Sequence, residues 1–137
     1  NRRALIPASG WYEWRREGRN KQPFLFRPKV EPGFLFAALW FPGLGPEPPR
    51  MVVLTREALP PTDRVHHRMP VLVPSSCRDD WLDPGAKGEN ALGETLRAKL
   101  PTIIFHAVSP EVNKVANNRP ELLEPCKEDV DPQGELF

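Results

Sequence analysis

The residues Val65-His66-His67-Arg68-Met69-Pro70-Val71-Leu72-Val73 bring a proton-transfer group next to a fixed cation and a stiff apolar run. Histidine is the side chain whose ordinary pKa lies nearest neutrality, so it gives and takes protons without special tuning. Pro70 fixes its own φ and steers Met69 toward extended geometry, which delivers the histidines to a strand in one conformation. Arg68 is charged at any accessible pH and can clamp a phosphate bidentately. The same string also describes two solvated loop histidines beside an arginine held in a structural ion pair. A second candidate is Glu13, flanked by Trp11, Tyr12 and Trp14. Aromatic neighbours desolvate a carboxylate and raise its pKa toward the range useful for acid–base work. The competing reading is an exposed strand glutamate paired with a nearby Arg or Lys.

Thr55 is expected to end a strand, where its hydroxyl caps the strand or holds a phosphate or water. Asn113 follows a strand-like run and can both donate and accept, or close a turn on its own backbone. Other constellations fail on spacing. His66, His67, His106, Cys77 and Cys126 lack zinc-ligand spacing, and no metal or cofactor is expected. Ser109 with His66 has no nucleophile-elbow glycines, and Gly43 and Gly45 are not followed by Gly-Lys-Ser/Thr.

These residues need one domain to position them. A chain of 137 residues with 39% hydrophobic and 27% charged residues supports a single soluble domain over 1–137 with a real core. Eighteen prolines oppose a helical bundle. No apolar run reaches the roughly 18–20 residues of a membrane span, and no signal peptide is visible. Two cysteines without metal spacing point to a reducing, cytoplasmic setting. The net charge of +1 does not by itself call for nucleic acid. Arg15, Arg16, Arg19 and Lys21 nevertheless cluster, with Arg2 and Arg3 upstream, as a solvated hairpin or a phosphate-contacting edge.

The pattern predicts a strand at Trp11–Arg16, with Trp11 and Glu13 on one face and Tyr12 and Trp14 on the other. A longer loop around 17–20 should return the chain as a strand from Pro23 to Arg27. Phe34–Trp40 reads as a strand buried on both faces, Pro42–Pro49 as a loop, and Met51–Leu54 as a further strand ending at Thr55. Val71–Val73 continues the sheet. Ser76 should cap a helix carrying Trp81 and Leu82. Asn90 should cap a second through Leu100, with Leu92, Leu96 and Leu100 on one stripe. Thr102–Val108 returns as a strand, a short helix follows at Glu121–Leu123, and a polar tail covers 126–137. The fold expected is α+β: a curled, mostly antiparallel β-sheet (a pseudo-barrel) with a few short helices. A first strand this close to residue 1 leaves one side of the sheet uncovered, so the domain is expected to be incomplete at its N-terminal end.

Several strings together resemble the SOS-response-associated peptidase (SRAP) family. They are Arg3-Ala4-Leu5-Ile6-Pro7-Ala8-Ser9-Gly10-Trp11-Tyr12-Glu13-Trp14, Leu54-Thr55-Arg56-Glu57-Ala58, Val65 to Val73, Trp81-Leu82, Val108 to Asn113, and Pro120 to Pro125. They fall in the family's order across nearly the whole chain. The resemblance implies abasic-site sensing in single-stranded DNA, with covalent attachment to the lesion. In the family an N-terminal cysteine condenses with the open sugar aldehyde, through a Schiff base, to a thiazolidine. By motif position, the resemblance makes Glu13 the active-site carboxylate and His66 the acid–base group, with Thr55, Arg68, Asn113 and Arg3 as DNA contacts. It implies a partner of single-stranded DNA containing abasic sites, no membrane, and action as a monomer. The departures are specific. Position 1 is Asn, the first cysteine is Cys77, and His67 and Ser9 stand where the family usually has Asp. As written, the chain is not expected to form the crosslink. A non-covalent single-stranded-DNA-binding module and a peptidase acting on its own N-terminus are the alternatives.

Overall fold

The computed structural model describes residues 2–30 and 32–126. Among them run eight strands: β1 (Arg3–Ala8), β2 (Trp11–Glu17), β3 (Asn20–Pro28), β4 (Phe34–Phe41), β5 (Arg50–Val53), β6 (Thr55–Glu57), β7 (Arg68–Pro70) and β8 (Ile103–Ala107). Two helices, α1 (Arg78–Leu82) and α2 (Gly88–Arg97), lie between β7 and β8. The α+β class and the antiparallel pairing are as expected, but the strands form three sheets rather than one: β1-β4-β5, β2-β3-β8 and the ribbon β6-β7. The sheets do not close into a barrel.

The division has a local cause at Leu54. β5 pairs with the second half of β4, and Leu54 then donates to the carbonyl of Ala37 at 2.9 Å and leaves that edge. Val71–Val73 takes over the vacated edge: Ala37 donates to Val71 and Val73 to Leu35, each at 2.8 Å. The chain between, β6 and β7, pairs only with itself. Thr55 therefore opens a strand instead of ending one, and the expected strand at Val71–Val73 is a set of backbone bonds beyond the end of β7.

Alternation along β4 separates two cores. Phe34 and Phe36 pack with Trp11, Phe24, Phe26, Met69 and Phe105 between the two larger sheets. Ala37, with partly buried Leu35, packs against Val71, Val73, Trp81 and Ala91 under the helices. The first half of β4 is thus buried on both faces, as its continuous apolar run predicts, whereas Trp40 and Phe41 emerge into solvent. Trp11 stacks on Phe26 at 5.0 Å between ring centres, and Phe26 on Phe105 at 5.1 Å. Gly10 makes this approach feasible, because a Cβ there would collide with the carbonyl oxygen of Phe26.

Other details depart from the sequence pattern. The β2–β3 hairpin is tight, pairing Glu17 with Asn20, so Gly18 and Arg19 alone form the loop. Gly18 takes a φ of 60° at the first central position, as a type II′ turn requires. Ser76 lies inside a 3-10 turn, Ser75–Cys77, and makes no cap; α1 begins after it. α2 starts at Gly88, two residues before Asn90, and stops at Arg97. Leu100 precedes Pro101 and is steered away from helical geometry, so it joins the aromatic core instead. The Glu121–Leu123 turn is present as a 3-10 segment, Pro120–Leu123. Of the expected tail, Cys126 bonds back to Ala107 at 2.8 Å, and 127–137 lie outside the described residues. No helix among the described residues is long and apolar enough to cross a membrane.

Candidate active site

His66 is held by its neighbours in sequence. Val65 and Met69, 7% and 1% exposed, are sunk in the aromatic core and fix the segment at both ends. The backbone N–H groups of Val65 and His66 both donate to Thr62 at 3.0 Å, closing a turn that presents the imidazole at the surface. Its Nδ1 lies 3.1 Å from both the N–H and the carbonyl oxygen of Arg68. With the ring proton on Nε2, Nδ1 accepts from that N–H; with a proton on Nδ1, the ring donates to that carbonyl.

Glu13 reaches the same place from β2. Its partner across the ladder is Phe24, at the margin of the aromatic core, and the period-two expectation for Trp11 and Glu13 holds. Its Oε2 stands 3.7 Å from His66 Nδ1, with the two side chains 23% and 35% exposed respectively. Burial holds the Glu13 carboxyl above the usual carboxylate range, partly offset by His66, by a backbone bond at Trp14 and by His67. The desolvation predicted from its aromatic neighbours is therefore the leading influence on its charge.

Both groups open into a cleft of about 640 Å³, lined also by Trp14, Arg16, Lys21, His67 and Asn113. The His67 ring centre is 4.5 Å from that of His66. Asn113 ends the 3-10 turn Pro110–Asn113 and accepts from Trp14 Nε1 at 2.7 Å, which ties the far wall of the cleft to β2. Arg68 sits beside the cleft on β7, where its Nη2 donates to the carbonyl and hydroxyl oxygens of Thr55 at 2.7 and 2.9 Å. Thr55 orients this guanidinium, leaving its remaining N–H groups for an anion.

Of the six residues singled out from the sequence, Glu13, His66 and Asn113 line the cleft, Thr55 and Arg68 pair with each other beside it, and Arg3 joins neither group. It lies away from the cleft, stacked 5.8 Å over Trp81 and bonded to the carbonyls of Trp81, Asp83 and Ala86 at 2.6, 2.6 and 3.2 Å. Those carbonyls lie at and just beyond the end of a short helix, where an arginine is a good donor; that of Asp83 also accepts from the Ala86 N–H at 3.2 Å. This placement is that of a staple between β1 and α1. Conversely, Trp14, Arg16, Lys21 and His67 belong to the cleft although none was singled out as a site residue. The basic cluster at 15–21 was the available signal; the Trp14–Asn113 contact, across most of the chain, had none. A second depression of about 370 Å³, lined by Phe34, Leu72 and Leu100 among others, has Lys99 as its only ionisable group among the described residues. Among the described residues no three His, Cys, Asp or Glu side chains group to hold a metal ion.

The cleft can move a proton between two groups less than 4 Å apart while a cation waits at its side. Relatives carry names that fit such chemistry. The chain is 31% identical over 127 residues to the abasic site processing protein YedK of Escherichia coli, covering 90% of this chain and 57% of that protein. It is 31% identical over 151 residues to the abasic site processing protein HMCES of Gallus gallus, covering 92% and 44%. It thus spans less than two thirds of these relatives. A crystal structure of a Bacteroides thetaiotaomicron protein shares the fold, with a TM-score of 0.78 at 24% identity over 91% of this chain and 57% of that one. A phage-related protein of Bordetella bronchiseptica superposes with a TM-score of 0.58 at 32% identity over 78% and 53%. The family model for SOS response associated peptidase (SRAP) matches residues 1–115, which take in every side chain of the cleft. By that match, the chain belongs to the SRAP family.

Proposed function

We propose that this domain processes abasic sites in single-stranded DNA, acting as a monomer in the cytoplasm. Glu13 and His66 handle protons, and Thr55, Arg68 and Asn113 hold the strand. The observation that carries this reading is the 3.7 Å approach of His66 to Glu13 inside a cleft large enough for a sugar. The cytoplasmic setting rests on two free cysteines, Cys77 and Cys126.

An abasic deoxyribose rests mainly as a closed hemiacetal. Opening it removes a proton from the anomeric hydroxyl and delivers one to the ring oxygen, with no net change. Two adjacent acid–base groups suit that exchange, and burial keeps Glu13 protonated to higher pH than an ordinary carboxyl. The freed aldehyde then accepts an amine, loses water to give the imine, and closes to a thiazolidine when a thiol adds to the imine carbon. The overall change is aldehyde plus aminothiol to thiazolidine plus water. The family resemblance assigns that aminothiol to an N-terminal cysteine; position 1 here is Asn. The proton-handling step is therefore tested with free cysteine as the added aminothiol.

The experiment incubates the chain with a single-stranded oligonucleotide carrying one abasic site and excess cysteine, and follows thiazolidine formation by mass spectrometry. The protein should accelerate trapping by about 100-fold, the lower end of what positioned acid–base groups contribute. Salt-sensitive DNA retention with no acceleration leaves only a binding module. Equal rates and no DNA retention remove the proposal altogether.

A further inference from the structure

Four of the five cations of the β2–β3 hairpin cluster toward its turn, and the structure gives those four different fates. Arg15 is turned onto the face of Phe24, 4.6 Å from its ring centre. Arg19 sits in the two-residue turn. Arg16 and Lys21 stand directly opposite each other in the ladder and both line the cleft that holds Glu13 and His66. Like charges placed directly across an antiparallel pair repel. Among the described side chains, which exclude that of Glu17, neither has a carboxylate partner. Two facing cations at the wall of a cleft form a site for one anion between them.

We propose that Arg16 and Lys21 together hold one backbone phosphate of the bound strand, outside the linkage at the reacting sugar. This inference rests on the reading of the cleft as a single-stranded DNA site and adds a second anchor to it. Arg16 lies three residues along β2 from Glu13, about 10 Å at ordinary strand rise. Arg68 anchors the strand from β7, an element outside the hairpin. Two anchors on separate elements set which sugar along the strand reaches Glu13 and His66.

The test measures binding of the chain to an abasic single-stranded oligonucleotide as a function of salt. Each phosphate neutralised on a single strand contributes about 0.7 to the slope of log K against log salt. The double substitution Arg16→Gln with Lys21→Gln should lower the slope by about 0.7, which is about 5-fold in affinity at 0.1 M salt. Arg19→Gln removes a charge from the same hairpin outside the cleft and should leave the slope unchanged. Lys21→Arg should retain the wild-type slope, separating charge from folding. A walk of single neutral methylphosphonate linkages along the DNA should find one position that weakens the wild type but not the double variant. Equal slopes for the double variant and Arg19→Gln overturn the inference, as does a walk in which no position loses its effect. Those results would leave the acid–base reading standing, whereas a wild-type chain that ignores single-stranded DNA would end both.

Discussion

If Glu13 and His66 act as one unit, removing both must cost much less than the product of removing each. The perturbations are Glu13→Gln, His66→Ala and the pair, read as the rate of abasic-aldehyde trapping by cysteine. Each single change should lower the rate by about 100-fold, the usual lower end for a positioned acid or base. The coupling follows from their separation. Unit charges 3.7 Å apart attract by about 1 kcal/mol in water and about 4–5 kcal/mol at an effective dielectric of 20. Both side chains are partly exposed, 35% and 23%, so screening places the coupling near the lower figure, about 1–2 kcal/mol. That is roughly 5- to 30-fold, so the double variant should lose about 300- to 2,000-fold where independent groups would lose about 10,000-fold. Losses that multiply in full would refute a shared proton-handling pocket. Neither change should alter DNA affinity by a comparable factor, because neither side chain is assigned to a phosphate.

Burial raises the Glu13 pKa, so between its unfolded and folded values the folded state binds more protons, and stability must fall as pH rises through that window. Glu13→Gln should abolish that decline, giving a variant more stable than wild type by urea unfolding at pH 7 and close to it at pH 4. Arg3→Ala should cost about 2–3 kcal/mol in the same assay, by removing three hydrogen bonds and a ring contact, and leave the salt slope of DNA binding unchanged. A lowered slope would instead make Arg3 a phosphate contact. Gly10→Ala should destabilise by about 1–3 kcal/mol, because the new methyl meets the Phe26 carbonyl; a neutral result would show that β2 and β3 yield there.

What could be read from the residues alone was decided by how locally each feature is encoded. The alternation at Trp11–Trp14 set the face of Glu13 correctly, because strand geometry leaves a side chain only two directions. The rigidity of the His66 segment was legible in Pro70, although its real anchors, Val65 and Met69, act through a core built from four other strands. The break at Leu54 was not legible. Met51 to Thr55 looks like one strand, and only competition with Val71–Val73 for the edge of β4 divides it. Arg3 illustrates the same limit: its partners are carbonyls about 80 residues away, which its motif does not reveal. Asn113 was singled out without its partner Trp14, for the same reason.

Nuclear magnetic resonance mapping of the chain with a single-stranded oligonucleotide bearing a tetrahydrofuran abasic analogue puts the central assignment to its most direct test. The ring protons of His66 and the amides around Glu13 and Asn113 should shift on binding and show contacts to the analogue's sugar protons. Shifts confined to another surface, with the His66 ring unmoved at saturating DNA, would contradict the assignment of this cleft to the lesion.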